Sequence, residues 1–369
     1  MPPPPRTALI SCLRLLGDVV LSLPLLDMIK AQHPGCEVDF LVPAGAASLL
    51  APDPRIRRII EHARGGPPYL PKILMRYDWA ISTNGSDRGV ISAMLAGRRR
   101  RAALVDPCLP MGKRWQQVVL TDPVPMPQDR PVVHWTVVLA ESLGMRPQRC
   151  MATLHWTADD MEQVHGTLAH AGIEPSRLAV LHGMSRYRYK KWPIDRLAAL
   201  SDALTERHGL QCVWTGAASD TPRLAEGARM ARHAPVLAAG TLSLPQVSAL
   251  LSLARVYVGV DTAITHIAAA VGTPMVALFG PTPARAWAPW NNAQPTTFTF
   301  PREPGSFRNG HISLLQDAEV FRREHHYGAM DMHSMSQGMQ AIPVAQVLEE
   351  VEHQLGQARA ATPQTAAIA

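Results

Sequence analysis

The sequence predicts an α/β protein of two Rossmann-like domains with a cleft between them, and three observations carry that prediction. Short apolar runs alternate with helical patterns in both halves, among them Thr7 to Cys12, Glu37 to Val42, Leu178 to Leu181 and Val256 to Val260. Most of these runs break off into polar loops, and the carboxyl ends of strands are where open α/β sheets carry their sites. The chain has 369 residues, 47% of them hydrophobic, enough for two cores. The expected domains are residues 1–165 and 166–355, with 356–369 as a disordered tail rich in Ala, Gln and Thr.

Composition narrows the function classes. The net charge of +6 and pI near 9.3 suit an anionic partner, whether nucleic acid, anionic lipid or a phosphorylated substrate. Nucleic acid is disfavoured, because the one arginine run, Arg98 to Arg101, has no interleaved aromatics. Cys12, Cys36, Cys108, Cys150 and Cys212 are dispersed and read as reduced core thiols. With no run of eighteen apolar residues and no signal-peptide pattern at the start, the expected location is cytoplasmic.

In the first half, TALISC is a strand, LRLLGD a loop and Val19 to Gln32 a helix, with EVDFLV returning as a second strand. The opening unit lacks a G-x-G-x-x-G fingerprint, which argues against a dinucleotide enzyme. Asp18 closes the loop, as a helix cap or a reactive carboxylate. Asp78 to Ser82 is a further strand, and Arg98 to Arg101 follows as a solvated turn or a contact for phosphate-bearing lipid headgroups. His134 to Leu143 is a helix, and the domain junction is placed near 147–177.

The second half opens with the strand Leu178 to Leu181 and the basic loop HGMSRYRYKKWP, holding Arg186, Arg188, Lys190 and Lys191. Gln211 to Thr215 is the next strand, and Asp220 beyond it is a cap or a ribose ligand. The organising stretch is Val256 to Trp290. It reads as a strand, a polar stop at Asp261-Thr262, a short alanine-rich helix, a break at Gly272-Thr273-Pro274 and a second strand from Met275. Asp261 and Thr262 are capping residue types at a helix N-terminus, a place suited to phosphate, with Ala263 giving the first amide beyond them. Thr262 and His266, four apart, share one helix face. In 311–340, His325, His326, Asp331 and His333 match no standard metal-ligand spacing, so no metal is expected.

The pattern D-T-x-x-x-H-x-A-A-A-x-G-x-P-x-x-A-L-F-G-P-T, here Asp261, Thr262, His266, Ala268 to Ala270, Gly272, Pro274, Ala277 to Gly280, Pro281 and Thr282, resembles the signature of glycosyltransferase family 9, the ADP-heptose:lipopolysaccharide heptosyltransferases. The x-x-G-D loop at Gly17-Asp18 and the basic residue before Trp192-Pro193 extend the resemblance, which runs from about residue 7 to 355. It implies the GT-B arrangement, a nucleotide-sugar donor of the ADP-heptose type and a lipid A–core glycolipid acceptor at the inner membrane surface. It further implies Asp18 as general base, Lys190 or its rival Lys191 at the diphosphate with Arg186 nearby, and Asp261 and His266 at the sugar. Asp220 would meet the ribose, and Arg14, Arg98 and Arg99 the acceptor. Inverting transfer is expected without a cofactor or metal, since the chain has no D-x-D pair. The family's cysteines after the FGPT turn are absent here, which leaves the acceptor open. The alternatives are a GT-B transferase for another nucleotide sugar or acceptor, and an inactive nucleotide- or glycolipid-binding protein.

Overall fold

The computed structural model describes residues 3–63, 65–66, 68–108, 110–293, 300–303, 305–322 and 332–360, with the side chains of 332–336, 359 and 360 excepted. The chain divides into two compact units, Met1–Thr157 with Asn292–Phe298, and Ala158–Asn291 with Thr299–Ala369.

The first unit is built on six strands, β1 (Thr7–Ser11), β2 (Glu37–Pro43), β3 (Ile56–His62), β4 (Tyr77–Ser82), β5 (Gly97–Val105) and β6 (Asp122–Pro125). Their order is β3-β2-β1-β4-β5-β6, and every pairing is parallel. The order reverses between β1 and β4, so the loops leaving these two strands diverge and open a crevice at the carboxyl edge. β4 is buried along its whole length, as expected of a central parallel strand covered on both faces.

The second unit has β7 (Leu178–His182), β8 (Gln211–Gly216), β9 (Val236–Ala239), β10 (Val256–Val260), β11 (Met275–Phe279), β12 (Gly305–Asn309) and β13 (Ile312–Gln316). The order is β12-β13-β11-β10-β7-β8-β9, parallel except for β12, which runs antiparallel to β13 at the edge. Here the reversal falls between β7 and β10. Trp192 and Trp214 are both fully buried in the core of this unit. The Trp192 indole N–H donates to the Ile342 carbonyl at 3.1 Å, fixing the end of the basic loop against the chain that enters the terminal helix.

Several elements differ from the sequence expectation. The first helix starts at Leu16, so Gly17 and Asp18 lie in its first turn and not in a loop. Arg98 to Arg101 form the amino half of β5 instead of a turn. The run survives as a strand because acidic neighbours take up its charge: Arg100 Nε donates to Asp122 of β6 at 2.8 Å, and Arg98 lies 3.3 Å from Asp78. The terminal helix runs Val344–Ala360, into the stretch expected as tail. Of the residues weighed for a metal, His325, His326 and Asp331 lie outside the described residues, as does the side chain of His333.

Candidate functional site

In the second unit the site grows from the point where the strand order reverses. Gly259 of β10 lies beside His182 of β7, so the loops leaving the two strands start side by side. The loop after β7 is anchored by Trp192, whose backbone amide donates to the Gly183 carbonyl at 3.3 Å, and its last turn (Arg188–Lys190) presents Lys190. The Lys190 ammonium lies 2.5 Å from Asp261 Oδ2, with the two side chains 15% and 7% exposed. The ammonium is also 5.7 Å from the Tyr187 ring centroid. Lys191 faces elsewhere, 3.7 Å from Asp220. The structure thereby separates the two lysines, and only Lys190 joins the aspartate of the organising stretch.

Thr262 stands at the N-cap of the helix Ala263–Val271 with extended backbone, but its hydroxyl does not turn back to cap the helix. The capping expected from residue type is absent. The first amides, starting with Ala263, have no partner within the helix, and the positive end of the helix dipole adds to them. Thr265 takes a different role, with its hydroxyl donating to the Val260 carbonyl at 2.5 Å and lying 2.9 Å from the Tyr257 hydroxyl. This pair ties the helix start to the strand it leaves.

His266 is buried and its Nδ1 has no hydrogen-bond partner among the described residues. Burial pushes its pKa down to about 4, against a smaller upward pull from Asp261, so the ring is neutral near pH 7. Its ring centroid lies 6.4 Å from that of Trp290. His182, at the carboxyl end of β7, is likewise pushed down to about 4 by burial, and its Nδ1 lies 2.9 Å from Thr215 Oγ1. Sequence reasoning passed over His182, although its place as the last residue of a buried strand was a usable signal. It also missed Gln316, whose side-chain amide donates to the carbonyls of Gly280 at 2.8 Å and Thr282 at 3.0 Å and so pins the FGPT turn. Asp220 accepts from the Ala217 amide at 3.0 Å, the capping arrangement, while its other oxygen faces Lys191. Arg186 is exposed, 5.9 Å from the Tyr187 ring centroid.

In the first unit Asp18 lies just past the carboxyl end of β1, beside the reversal. Its carboxylate accepts from the Leu15 amide at 3.2 Å and lies 3.8 Å from Arg14 Nε. The side chain is 12% exposed. The loop after β4 adds Asn84, whose Nδ2 is buried without a partner among the described residues. Arg98 and Arg99 are elsewhere: they stand near the amino end of β5, which runs parallel to β4 and through it to β1. Arg98 is held by Asp78, and Arg99 donates to the Pro3 carbonyl at 2.7 Å. A site gathered around Asp18 therefore includes Arg14 and excludes those two. Cys12, close to Asp18, is pushed up to about 12 by burial and then by that carboxylate, which leaves it an inert thiol.

The profile of glycosyltransferase family 9 (heptosyltransferase) matches residues 75–305, more than half of the chain. The chain belongs to glycosyltransferase family 9. Lipopolysaccharide heptosyltransferase 3 of Escherichia coli is 26% identical to this family 9 enzyme over 292 residues, covering 76% of this chain and 85% of its own. The structure of a family 9 glycosyltransferase from Veillonella parvula DSM 2008 superposes with a TM-score of 0.76 at 17% identity, covering 95% of this chain and 97% of its own. That of the E. coli ADP-heptose lipopolysaccharide heptosyltransferase II gives 0.71 at 19%, covering 96% and 99%. At these identities the structural likeness speaks to fold, and the glycosyltransferase has the GT-B class of two Rossmann-like units. No described helix of the enzyme is long and apolar enough to cross a membrane.

Proposed function

We propose that this glycosyltransferase moves heptose from ADP-L-glycero-D-manno-heptose to an inner-core sugar of lipopolysaccharide, with inversion and without a metal. The observation that carries the donor half is the Lys190–Asp261 pair beside the open start of the Ala263–Val271 helix, at the strand-order reversal of the second unit. An ammonium and a helix N-terminus together stabilise the negative charge that develops as a nucleoside diphosphate departs. Asp261 and the neutral His266, whose Nδ1 has no partner among the described residues, would hydrogen-bond sugar hydroxyls, and Asp220 would face the ribose.

Asp18 would take the proton of the acceptor hydroxyl as its oxygen forms the bond to the anomeric carbon and the bond to the ADP oxygen breaks. Attack opposite the leaving group inverts the centre. The names of the relatives, heptosyltransferases of lipopolysaccharide, support heptose and lipopolysaccharide as the substrates. An acceptor with a lipid anchor brings the enzyme to the cytoplasmic membrane surface.

Isothermal titration with ADP, GDP and UDP in the presence of a chelator tests the donor reading. ADP should bind in preference, with the affinity lost in Lys190→Ala. Preference for UDP or GDP would replace the donor, and no nucleotide binding would remove the transferase reading.

A further inference from the structure

The first unit carries a surface that its catalytic chemistry does not use. Among the described residues, eight large hydrophobic side chains are exposed: Leu15, Leu70, Leu74, Met75, Met111, Val118, Tyr187 and Met230. Five of them, from Leu70 to Val118, belong to two short segments. Met111 and Val118 are the most open, at 82% and 83%. Both segments cover the same face of the sheet. Tyr69 and Ile73 from one, and Trp115 and Val119 from the other, pack into one core cluster with Val90 and Ala93 of the helix Asp87–Ala96. The Met75 amide donates to the Leu95 carbonyl of that helix at 2.8 Å.

The backbone adds an independent sign. Met75 has φ of 50° and is the one non-glycine residue with positive φ among those described. A side chain in that conformation costs free energy relative to glycine, and Met75 is 53% exposed, so burial does not offset the cost. Strain kept at an exposed methionine points to a task outside the folded unit.

Within the two segments every charged side chain is basic. Tyr69 to Tyr77 and Pro110 to Leu120 contain Lys72, Arg76, Lys113 and Arg114 and no acidic residue. Lys113 lies 3.5 Å from Asp87, both about half exposed, and Lys72, Arg76 and Arg114 form no ion pair with a described residue. Arg98 to Arg101 differ, since Asp78, Asp122 and the Pro3 and Ser142 carbonyls occupy three of the four.

We propose that the Leu70–Arg76 and Met111–Val118 segments form a membrane-docking surface for an anionic bilayer. Methionine, leucine and valine enter the headgroup boundary while the lysines and arginines meet lipid phosphates. Alternating apolar tips and cations, three of the four in no ion pair with a described residue, fit that partner better than a second copy of this chain, which would set like charges against each other. The proposal deepens the reading of a lipid-anchored acceptor and rests on it, naming the face by which the enzyme reaches the bilayer.

The test is co-sedimentation of the full chain with vesicles of phosphatidylethanolamine and phosphatidylglycerol, and with phosphatidylcholine alone. Wild type should bind the anionic vesicles and not the neutral ones. Met111→Asp with Val118→Asp, and separately Lys113→Glu with Arg114→Glu, should each weaken binding tenfold or more, on a scale of about fivefold per basic residue near an anionic leaflet. Met230→Asp, at a methionine of the second unit that is 51% exposed, should bind as wild type does. All of these positions are exposed, and unchanged thermal melts would confirm folding. ADP titration on the same samples keeps the two readings apart: intact ADP binding without vesicle binding sinks the surface alone, and vesicle binding without ADP binding sinks the donor reading alone. Equal vesicle binding by wild type and both double variants would also overturn the surface. So would a wild-type dimer that binds no vesicles and becomes monomeric in Met111→Asp with Val118→Asp, which would assign the face to a second copy.

Discussion

The Lys190 ammonium sits 2.5 Å from an Asp261 carboxylate oxygen although 71 positions separate them, because β7 and β10 are neighbours and their loops leave the same edge. The largely buried aspartate holds the lysine where a diphosphate would arrive. Lys190→Ala removes a charge-assisted contact worth about 1.5–3 kcal/mol, so ADP affinity should fall roughly 10- to 100-fold by calorimetry. Lys191→Ala, which frees Asp220 instead, should change ADP affinity by less than about threefold on the same scale.

Asp18 accepts a hydrogen bond from the Leu15 amide at the helix start, so capping and the proposed proton removal would fall on one carboxylate and one substitution can separate them. Asp18→Asn keeps an oxygen for the Leu15 amide and removes the base. The melting temperature should stay near that of wild type while kcat drops about 100- to 10,000-fold. A variant with an unchanged rate and a lowered melting point would leave Asp18 as a cap only.

Seven strands were legible as apolar runs, and β1, β2, β4, β7, β8, β10 and β11 appear where the sequence placed them, whereas β13, buried along its whole length between β11 and β12, was missed. All four edge strands, β3, β6, β9 and β12, escaped notice. An edge strand buries less of its length, so IRRIIEH and DPVP carry no clear alternation, and their pairing depends on a neighbour far along the chain. β5 was hidden by its arginines, whose charge looks solvated until Asp78 and Asp122 are placed beside it. In the site, Asp261 and His266 stood out because they follow a strand within one short motif. The choice between Lys190 and Lys191 needed the fold, since both precede Trp192 and only three-dimensional placement sends one to Asp261 and the other to Asp220.

Three histidines, His134, His182 and His266, are each pushed down to about 4, with burial the largest cause. Their folded pKa lies below the unfolded value near 6.5, so between these limits the unfolded chain binds more protons than the native one. The stability they contribute is fully present above pH 6.5 and is lost as pH falls toward 4, with a slope of up to about 1.4 kcal/mol per pH unit for each histidine. Urea unfolding at pH 7 and pH 5 should show the loss, and His182→Gln should reduce it by one histidine's share. Because His266 is neutral throughout, ADP affinity should stay nearly flat from about pH 7.5 to 9, above the titration of a terminal phosphate at about pH 6.

Among the described glycines, Gly259 has the least room for a side chain. A Cβ built there would lie 1.9 Å from the Tyr257 hydroxyl oxygen and 2.2 Å from the ring carbon bearing it, because the tyrosine lies back over the glycine two residues on along the same strand face. The Tyr257 hydroxyl meets Thr265, so moving the ring disturbs the first turn of the helix whose amides are proposed to meet the diphosphate. Gly259→Ala should destabilise the protein by about 3 kcal/mol, the upper range for overpacking a filled core, and weaken ADP binding in parallel. Tyr257→Val in the same chain removes the clash but also the hydroxyl, so it should recover part of the stability and little of the affinity. Full recovery of both would mean that the Tyr257–Thr265 contact does not position the helix start.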